Sequence, residues 1–499
     1  MSKINLEEEY ALLRRAVEKH AIPLSPSSSA AASPHPANID RARSSLPKPD
    51  DADYLSPLGA TRTLQHIRED ILPGLSGQAV SSRFFGFVTG GVHPVGEAAD
   101  NIVAALDQNV SSYLPENSVA VDVEMAALDM LARVLRIDGP RWEGGIFTTG
   151  ATASNVLGLA CGRDAVIARR LQGETVAELG VLKACVRAGV SEMQVLTSGA
   201  HSSLAKAAAV VGLGWEAVQE VGVSDEMPWK LDIDEVERRL QRPGVASIIS
   251  VSMGEVNTGF FATNGLEDMQ RLRRLADEYG AWLHVDGAFG IFVRALTDSS
   301  AHASLKKATE GLELADSITA DAHKVLNTPY DCGIFYCAHR SVMNQTFRNP
   351  NAAYLTVPPG QIPSPLDIGL ENSRRFRALP VYAILRSLGQ TGIAKTVDTM
   401  VAVTRALARG IAQMSEYEIL PPGVMHDDEF TSVSFILMIR LRDDEKNKTL
   451  VEKINGSREM FVSGSQWAGK KAARIAVSSH MTQMEDVAPV LALLKGVAM

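Results

Sequence analysis

Between Gly86 and Gly389 the hydrophobic positions fall in short runs separated by helical segments. GGIFTT, MQVLTS, VASIISVSM, AWLHVDGAF, ADSITADA and CGIFYC are apolar, rich in β-branched and aromatic residues and bounded by small or polar ones, and they read as strands. That alternation predicts a mostly parallel sheet covered by helices, because parallel strands need crossovers that bury both faces. Beyond Gln390 the pattern changes to an amphipathic helix, AKTVDTMVAVTRALARGIAQM, and then to the strand-like pieces TSVSFILMIRL and ARIAVSSH around a further helix, a small α/β domain. At the other end a short helical start leads into Ile22 to Ala52, whose Ser, Pro and Ala content predicts an exposed arm without a core of its own. The expected layout is an arm and helical segment over residues 1–85, a large domain over 86–389 and a small α/β domain over 390–499. There is no repeat of fixed period.

Composition narrows the function classes. At 499 residues, 45% hydrophobic and 21% charged, the chain can bury a sizeable site. Its net charge of -9 contains no long basic block, which argues against nucleic acid or an anionic membrane as partner and leaves small-molecule chemistry. Cys161, Cys185, Cys332 and Cys337 have neither metal-ligand spacing nor the look of a disulfide framework, so a reducing compartment and no metal are expected. The acidic, amphipathic start MSKINLEEEYALLRR lacks the apolar core of a signal peptide, and no later run reaches membrane-spanning length; a cytoplasmic location is expected.

Four segments carry candidate chemistry. GGIFTTGATASNVLGLACGRD sets a strand, a Gly-Ala-Thr turn and a helix whose open N–H groups and dipole suit a phosphate, with Gly150 allowing close approach; the same pattern also occurs as a plain connection. AWLHVDGAFG delivers Asp286 to the carboxyl end of an apolar strand, where ligands sit in open α/β sheets; it suits the ring nitrogen of a pyridine, or else a cap or structural ion pair. ADSITADAHKVLNTPYDCG ends a β-rich run at His323-Lys324, a lysine able to form a Schiff base with an aldehyde, although a lysine after a strand is commonly a surface residue. In TSGAHSSLAKAAAVVGLG, His201 opens a helix among small residues and is either a stacking ring or a cap. Phosphate turn, His, Asp and Lys, each at a strand end, are together what one cofactor with a phosphate, a π-face, a basic ring nitrogen and an aldehyde requires, namely pyridoxal 5'-phosphate (PLP).

These segments, with RFFGFVTGG near Phe84 and SRRFRALPVYAILRSLG, resemble the group II pyridoxal-dependent decarboxylases, the family of aromatic-amino-acid, tyrosine, histidine and glutamate decarboxylases, over roughly Arg83 to Ala488. The resemblance implies an aspartate-aminotransferase-like α/β fold, PLP as cofactor, a homodimer with the active site at the subunit interface, and decarboxylation of an L-amino acid to the amine. By position it implies that Gly150, Ala151 and Thr152 hold the phosphate, His201 stacks on the ring, Asp286 pairs with the ring nitrogen, Ala288 lines the ring and His323 flanks the covalent Lys324. Tyr354, in NAAYLTVPPG, stands where the family has a mobile-loop tyrosine and is the candidate proton donor to Cα. Relatives with phenylalanine there tend to form aldehydes, so tyrosine favours simple decarboxylation. Phe84, Phe85 and Thr89 are candidate substrate contacts, with core packing the equal alternative for the phenylalanines. Arg374, Arg375 and Arg377 read first as structural ion pairs, with orientation of a carboxylate the alternative. Three departures bear on substrate: Ala153 replaces a usual acidic residue, SMGEVNTG brings Glu255 and Asn257 into a usually Thr-rich segment, and the loop containing PPGQIPSP is short. An oxidative deaminase, aminotransferase or other lyase on the same cofactor stays open, as does a silent paralogue, which would need neither Lys324 nor Asp286.

Overall fold

The six apolar runs and one short mixed segment become a seven-stranded sheet: β1 (Gly144–Thr148), β2 (Glu192–Thr197), β3 (Val218–Glu220), β4 (Val245–Ser252), β5 (Trp282–Asp286), β6 (Ser317–Asp321) and β7 (Gly333–Cys337). The computed structural model describes residues 5–20, 31–51, 54–350, 362–423 and 430–499. The chain divides into two units, and the sheet belongs to the one made of residues 92–401 and 423–436. Its strand order is β1-β7-β6-β5-β4-β2-β3. β7 runs antiparallel to both β1 and β6, and the pairs from β6 through to β3 are parallel. The carboxyl ends of β1, β2, β4, β5 and β6 therefore share one edge. Every residue of β1, β4, β6 and β7 is buried, including the serines of β4 and Ser317, Thr319 and Asp321 of β6, so both faces of these strands are covered. β3 escaped the hydrophobic pattern because it is three residues long, partly exposed and at the sheet's margin.

Helix α1 (Ala151–Ala168) lies against this sheet and is buried along most of its length. Two of its glycines are demanded by packing: a Cβ on Gly158 would lie 2.6 Å from His284 Cε1, and one on Gly162 would lie 2.8 Å from Trp282 Cδ1. Each glycine costs a helix about 1 kcal/mol relative to alanine. They persist because two strand-borne rings occupy the space a methyl group would take. Helix α2 (Ser202–Val210) follows β2.

The other unit contains residues 1–91, 402–422 and 437–499. Its five-stranded sheet runs in the order Phe84–Phe85, Phe461–Trp467, Lys470–Ala476, Ile436–Leu441, Tyr417–Leu420. The central hairpin turns through Ala468 and Gly469, both with positive φ (47° and 74°), the primed geometry that matches strand twist. The expected exposed arm is, in its described part, more structured than its composition suggested. Pro36–Ser45 is a helix capped by His35 with proline in its first turn, and buried Ala32 donates its N–H to Arg458 O at 2.9 Å. Proline there starts a helix rather than preventing one. The composition shift near Gln390 falls beside Gly389, whose φ of 58° and ψ of -176° interrupt the long helix Ala378–Ala412.

Candidate active site

β1 ends at Thr148 and hands the chain to Gly150, whose φ of 150° and ψ of 173° belong to a region that side-chain-bearing residues avoid. α1 then starts with no side-chain cap, so the N–H groups of its first turn, at Ala151 and Thr152, keep their partial positive charge for an anion. The turn is held tightly. Thr148 Oγ1 accepts from Gly150 N at 3.3 Å and shares a 2.7 Å hydrogen bond with Ser154 Oγ. A Cβ on Gly150 would lie 3.3 Å from His323 Cε1 and 3.7 Å from Asp321 Oδ1, so the start of α1 abuts the segment that follows β6.

That segment carries Lys324. Its Nζ lies 3.0 Å from Asp321 Oδ2 and 5.9 Å from the centroid of the Phe289 ring, with the side chain 19% exposed. His323 is buried beside it. Its Nδ1 accepts from Cys332 N at 3.1 Å, and its ring stacks on Tyr330 with centroids 4.3 Å apart. Burial lowers the His323 pKa, against the opposing pull of the Asp321 carboxylate, which lies 3.6 Å from Nε2. A neutral ring that accepts at Nδ1 carries its proton on Nε2.

On the neighbouring strand β5, Asp286 is half-buried. Its Oδ2 accepts from Asn155 Nδ2 at 2.8 Å and its Oδ1 from Ala288 N at 3.3 Å. Thr319 stands opposite Asp286 in the β5–β6 pairing. Thr319 Oγ1 and Asp321 Oδ1 are buried with no hydrogen-bond partner among the described residues. Leaving such an atom without a partner costs about 1–3 kcal/mol, so this edge suits a polar ligand that supplies one. An uncapped helix start, a partly buried lysine amine, a carboxylate anchored from two sides and the unpartnered Thr319 hydroxyl fit the phosphate, aldehyde and ring nitrogen of PLP.

Ala288, half-buried, follows Asp286 directly after the strand. His201 lies at the same carboxyl edge, after β2, two strands from Asp286. It is exposed, and its Nδ1 caps α2 by accepting from Ser203 N at 3.2 Å, so the capping role is realised and fixes the ring's attitude. Tyr354 lies outside the described residues. Phe84, Phe85 and Thr89 belong to the other unit and are buried there; Phe84 stacks on Phe461 with centroids 4.6 Å apart, the packing alternative for that residue. Glu255 is consumed by its own turn: Oε1 accepts from Asn257 N and Nδ2 at 2.9 and 2.8 Å, and Oε2 from Thr258 N and Oγ1 at 2.7 and 2.8 Å.

The arginines make ion pairs. Arg374, fully buried, reaches Glu124 through two hydrogen bonds of 2.8 and 2.9 Å; Arg375 pairs with Asp100, and Arg377 with Asp331 and Glu371. Reading the sequence missed Asn155, His284 and Asp321. The available signals were the period-two W-x-H-x-D of β5, which places Trp282, His284 and Asp286 on one face, and the N-x2-G-x3-G stripe of α1 that meets it.

Comparison with known proteins follows the same lines. Residues 50–438 match the family model described as the pyridoxal-dependent decarboxylase conserved domain. Among curated proteins the chain is similar to L-2,4-diaminobutyrate decarboxylase of Acinetobacter baumannii, 26% identical over 405 residues that cover 79% of this chain and 74% of that protein. It is also similar to phenylacetaldehyde synthase of Arabidopsis thaliana, 22% identical over 438 residues, covering 85% and 83%. Among solved structures, Rhodiola rosea 4-hydroxyphenylacetaldehyde synthase superposes with a TM-score of 0.78 at 19% identity, covering 100% of this chain and 98% of that one. Oryza sativa TDC with PLP and tryptamine superposes with a TM-score of 0.78 at 20% identity, covering 100% and 99%. The expected aspartate-aminotransferase-like α/β fold is the one shared with these structures.

Proposed function

Because this chain belongs to the pyridoxal-dependent decarboxylase family, and so removes CO2 from an amino acid with PLP as cofactor, we propose which of its residues carry that reaction and on what substrate. The observation that supports the assignment is the convergence at one sheet edge of the uncapped start of α1, Lys324 held by Asp321, and Asp286 held by Asn155. When bound, PLP supplies a protonated ring that takes up the electrons left by the departing carboxylate. Ala151 and Thr152 hold the phosphate through their N–H groups, and Gly150 lets it come close. Asp286 pairs with the ring nitrogen, Ala288 lines the ring and His201 covers its face. Lys324 is the covalent attachment point. Asp321, with Oδ2 3.0 Å from Nζ, would hold the Lys324 side chain in place when it is not bonded to the cofactor. His323 seats the lysine segment by accepting from Cys332 N. Tyr354 returns a proton to Cα after CO2 leaves.

The substrate in this reading is an L-amino acid, with aromatic ones first, as the tryptophan, tyrosine and aromatic-amino-acid decarboxylases among the relatives support, and 2,4-diaminobutyrate second. The protein acts as a homodimer with its site at the subunit interface. A cytoplasmic location belongs to the same proposal; among the described residues no helix is long and apolar enough to cross a membrane.

The test is borohydride reduction of the PLP-loaded protein with peptide mapping, followed by CO2 and amine measurement over a panel of L-amino acids. A pyridoxyl adduct on Lys324, and equal CO2 and amine from an aromatic substrate, are expected, and Lys324→Ala should lose both. An adduct on another lysine would refute the site. CO2 released with oxygen consumed and aldehyde formed would replace simple decarboxylation by the chemistry named in the two aldehyde synthases.

A further inference from the structure

Behind Asp286 lies a line of buried polar groups that the reaction does not touch. Trp282 Nε1 donates to Ser317 Oγ at 2.9 Å. Ser317 Oγ lies 2.8 Å from His284 Nδ1, His284 Nε2 lies 3.0 Å from Asn155 Oδ1, and Asn155 Nδ2 donates to Asp286 Oδ2 at 2.8 Å. Strand geometry builds the line. Trp282, His284 and Asp286 alternate onto one face of β5, and His284 stands directly opposite Ser317 on β6. α1 lays Asn155, Gly158 and Gly162 along that face, and the missing side chain of Gly158 makes the room in which the His284 ring sits.

The two ends fix the direction of every hydrogen bond. An indole N–H can only donate and a carboxylate can only accept. Asn155 must turn its amide N–H toward Asp286, which leaves its oxygen facing His284. That oxygen needs a donor, so Nε2 carries the imidazole proton, Nδ1 accepts, and the Ser317 hydroxyl donates to it while accepting from Trp282. Burial pushes the His284 pKa down to about 4, against the pull of Asp286, so the ring is neutral at physiological pH and supplies the one donor and one acceptor the line needs. Hydrogen bonds aligned head to tail in a dry interior polarise one another, so the last donor of the line is stronger than an isolated amide.

We propose that the Trp282–Ser317–His284–Asn155 line is a positioning device for the cofactor's ring nitrogen, holding the Asp286 carboxylate in one plane so that it can keep that nitrogen protonated. His284 and Asn155 are positioning residues, since they act through Asp286. The proposal rests on the reading that Asp286 pairs with the ring nitrogen, and the two are separable by experiment.

The measurement is the solid-state 15N chemical shift of the ring nitrogen in protein loaded with 15N-labelled PLP, together with the apparent PLP Kd of the apoprotein. The wild type is expected to show a protonated ring nitrogen. His284→Phe keeps a ring over Gly158 but removes both hydrogen-bonding atoms; it should move the resonance toward the unprotonated position and raise the Kd roughly ten-fold or more. His284→Gln, whose amide can occupy the Nε2 position, should restore most of both. If His284→Phe does not fold, Asn155→Ala is read in its place. A folded His284→Phe or Asn155→Ala protein with wild-type resonance and Kd would show that the line only packs the core. Should Asp286→Ala leave the resonance unchanged, the ring-nitrogen reading itself falls and takes the proposal with it; a resonance that moves in Asp286→Ala but not in the other variants overturns the positioning device alone.

Discussion

Gly333 offers a way to disturb the phosphate cradle without touching a residue that would contact the cofactor. It opens β7, pairs with Thr148 on one side and Asp321 on the other, and a Cβ built on it would lie 2.5 Å from Gly150 Cα and 2.5 Å from Thr148 Oγ1. Non-bonded carbons settle at about 3.5–4.0 Å, so Gly333→Ala requires a displacement of about 1 Å. Gly150 Cα is backbone, so a rotation of the Thr148 side chain cannot relieve the whole clash. Overpacking of this kind costs about 1–3 kcal/mol of stability. In the proposed reading the larger effect falls on the ligand, because a 1 Å shift of Gly150 would carry the first turn of α1 away from the phosphate. Charge-assisted hydrogen bonds are worth about 1.5–3 kcal/mol each, so losing one costs about 12- to 140-fold in PLP Kd. The assay is a PLP titration of apoprotein followed by quenching of protein fluorescence. Gly496→Ala, where a Cβ meets nothing within 4 Å, is the control. A folded Gly333→Ala protein that bound PLP within about three-fold of wild type would refute the assignment of the cradle, since three-fold is under 1 kcal/mol.

The remaining predictions concern buried charge. Glu124→Leu should destabilise the protein by about 3–5 kcal/mol because it strands the fully buried Arg374 guanidinium, while Glu124→Leu with Arg374→Met should recover most of the loss; urea midpoints compare them, and equal losses in single and double variants would exclude a stranded charge. His284, with its folded pKa pushed down from 6.5 to about 4, gives the unfolded chain the greater proton uptake in that window. Its contribution is complete above pH 6.5 and is lost as pH falls toward 4, a change of up to about 3 kcal/mol. Urea midpoints should therefore drop less between pH 7 and pH 5 in His284→Gln than in wild type, and identical drops would remove His284 as the cause.

Much of the fold was legible because it rests on local rules. The strands of a covered sheet are buried on both faces, so β1, β2, β4, β5, β6 and β7 appear as largely apolar runs, and candidates at the carboxyl ends of β1, β2, β4, β5 and β6 are brought to one edge by topology alone. What stayed hidden depends on contacts between distant segments. Asn155 in a second helical turn reads as a solvated polar residue, and His284 in WLHVD reads as a core histidine. Neither has a role until α1 is laid across β5. Glu255 looked capable of altering the site because its charge is legible, whereas the four donors that absorb that charge come from the fold of its own turn.

The course of α1 explains why this architecture joins two tasks that the sequence shows separately. Its start abuts the segment after β6 through Gly150, and five residues later Asn155 reaches Asp286 on β5, the next strand. Five residues advance a helix by about 7.5 Å, and neighbouring strands lie about 4.8 Å apart, so a helix crossing the strands obliquely meets both carboxyl ends within its first two turns. In the proposed reading, gripping a phosphate at its first N–H groups and anchoring the carboxylate for a ring nitrogen would both fall to this one helix. The proposed cofactor contacts thereby fall on α1, β5 and β6, three elements of one sheet-and-helix layer.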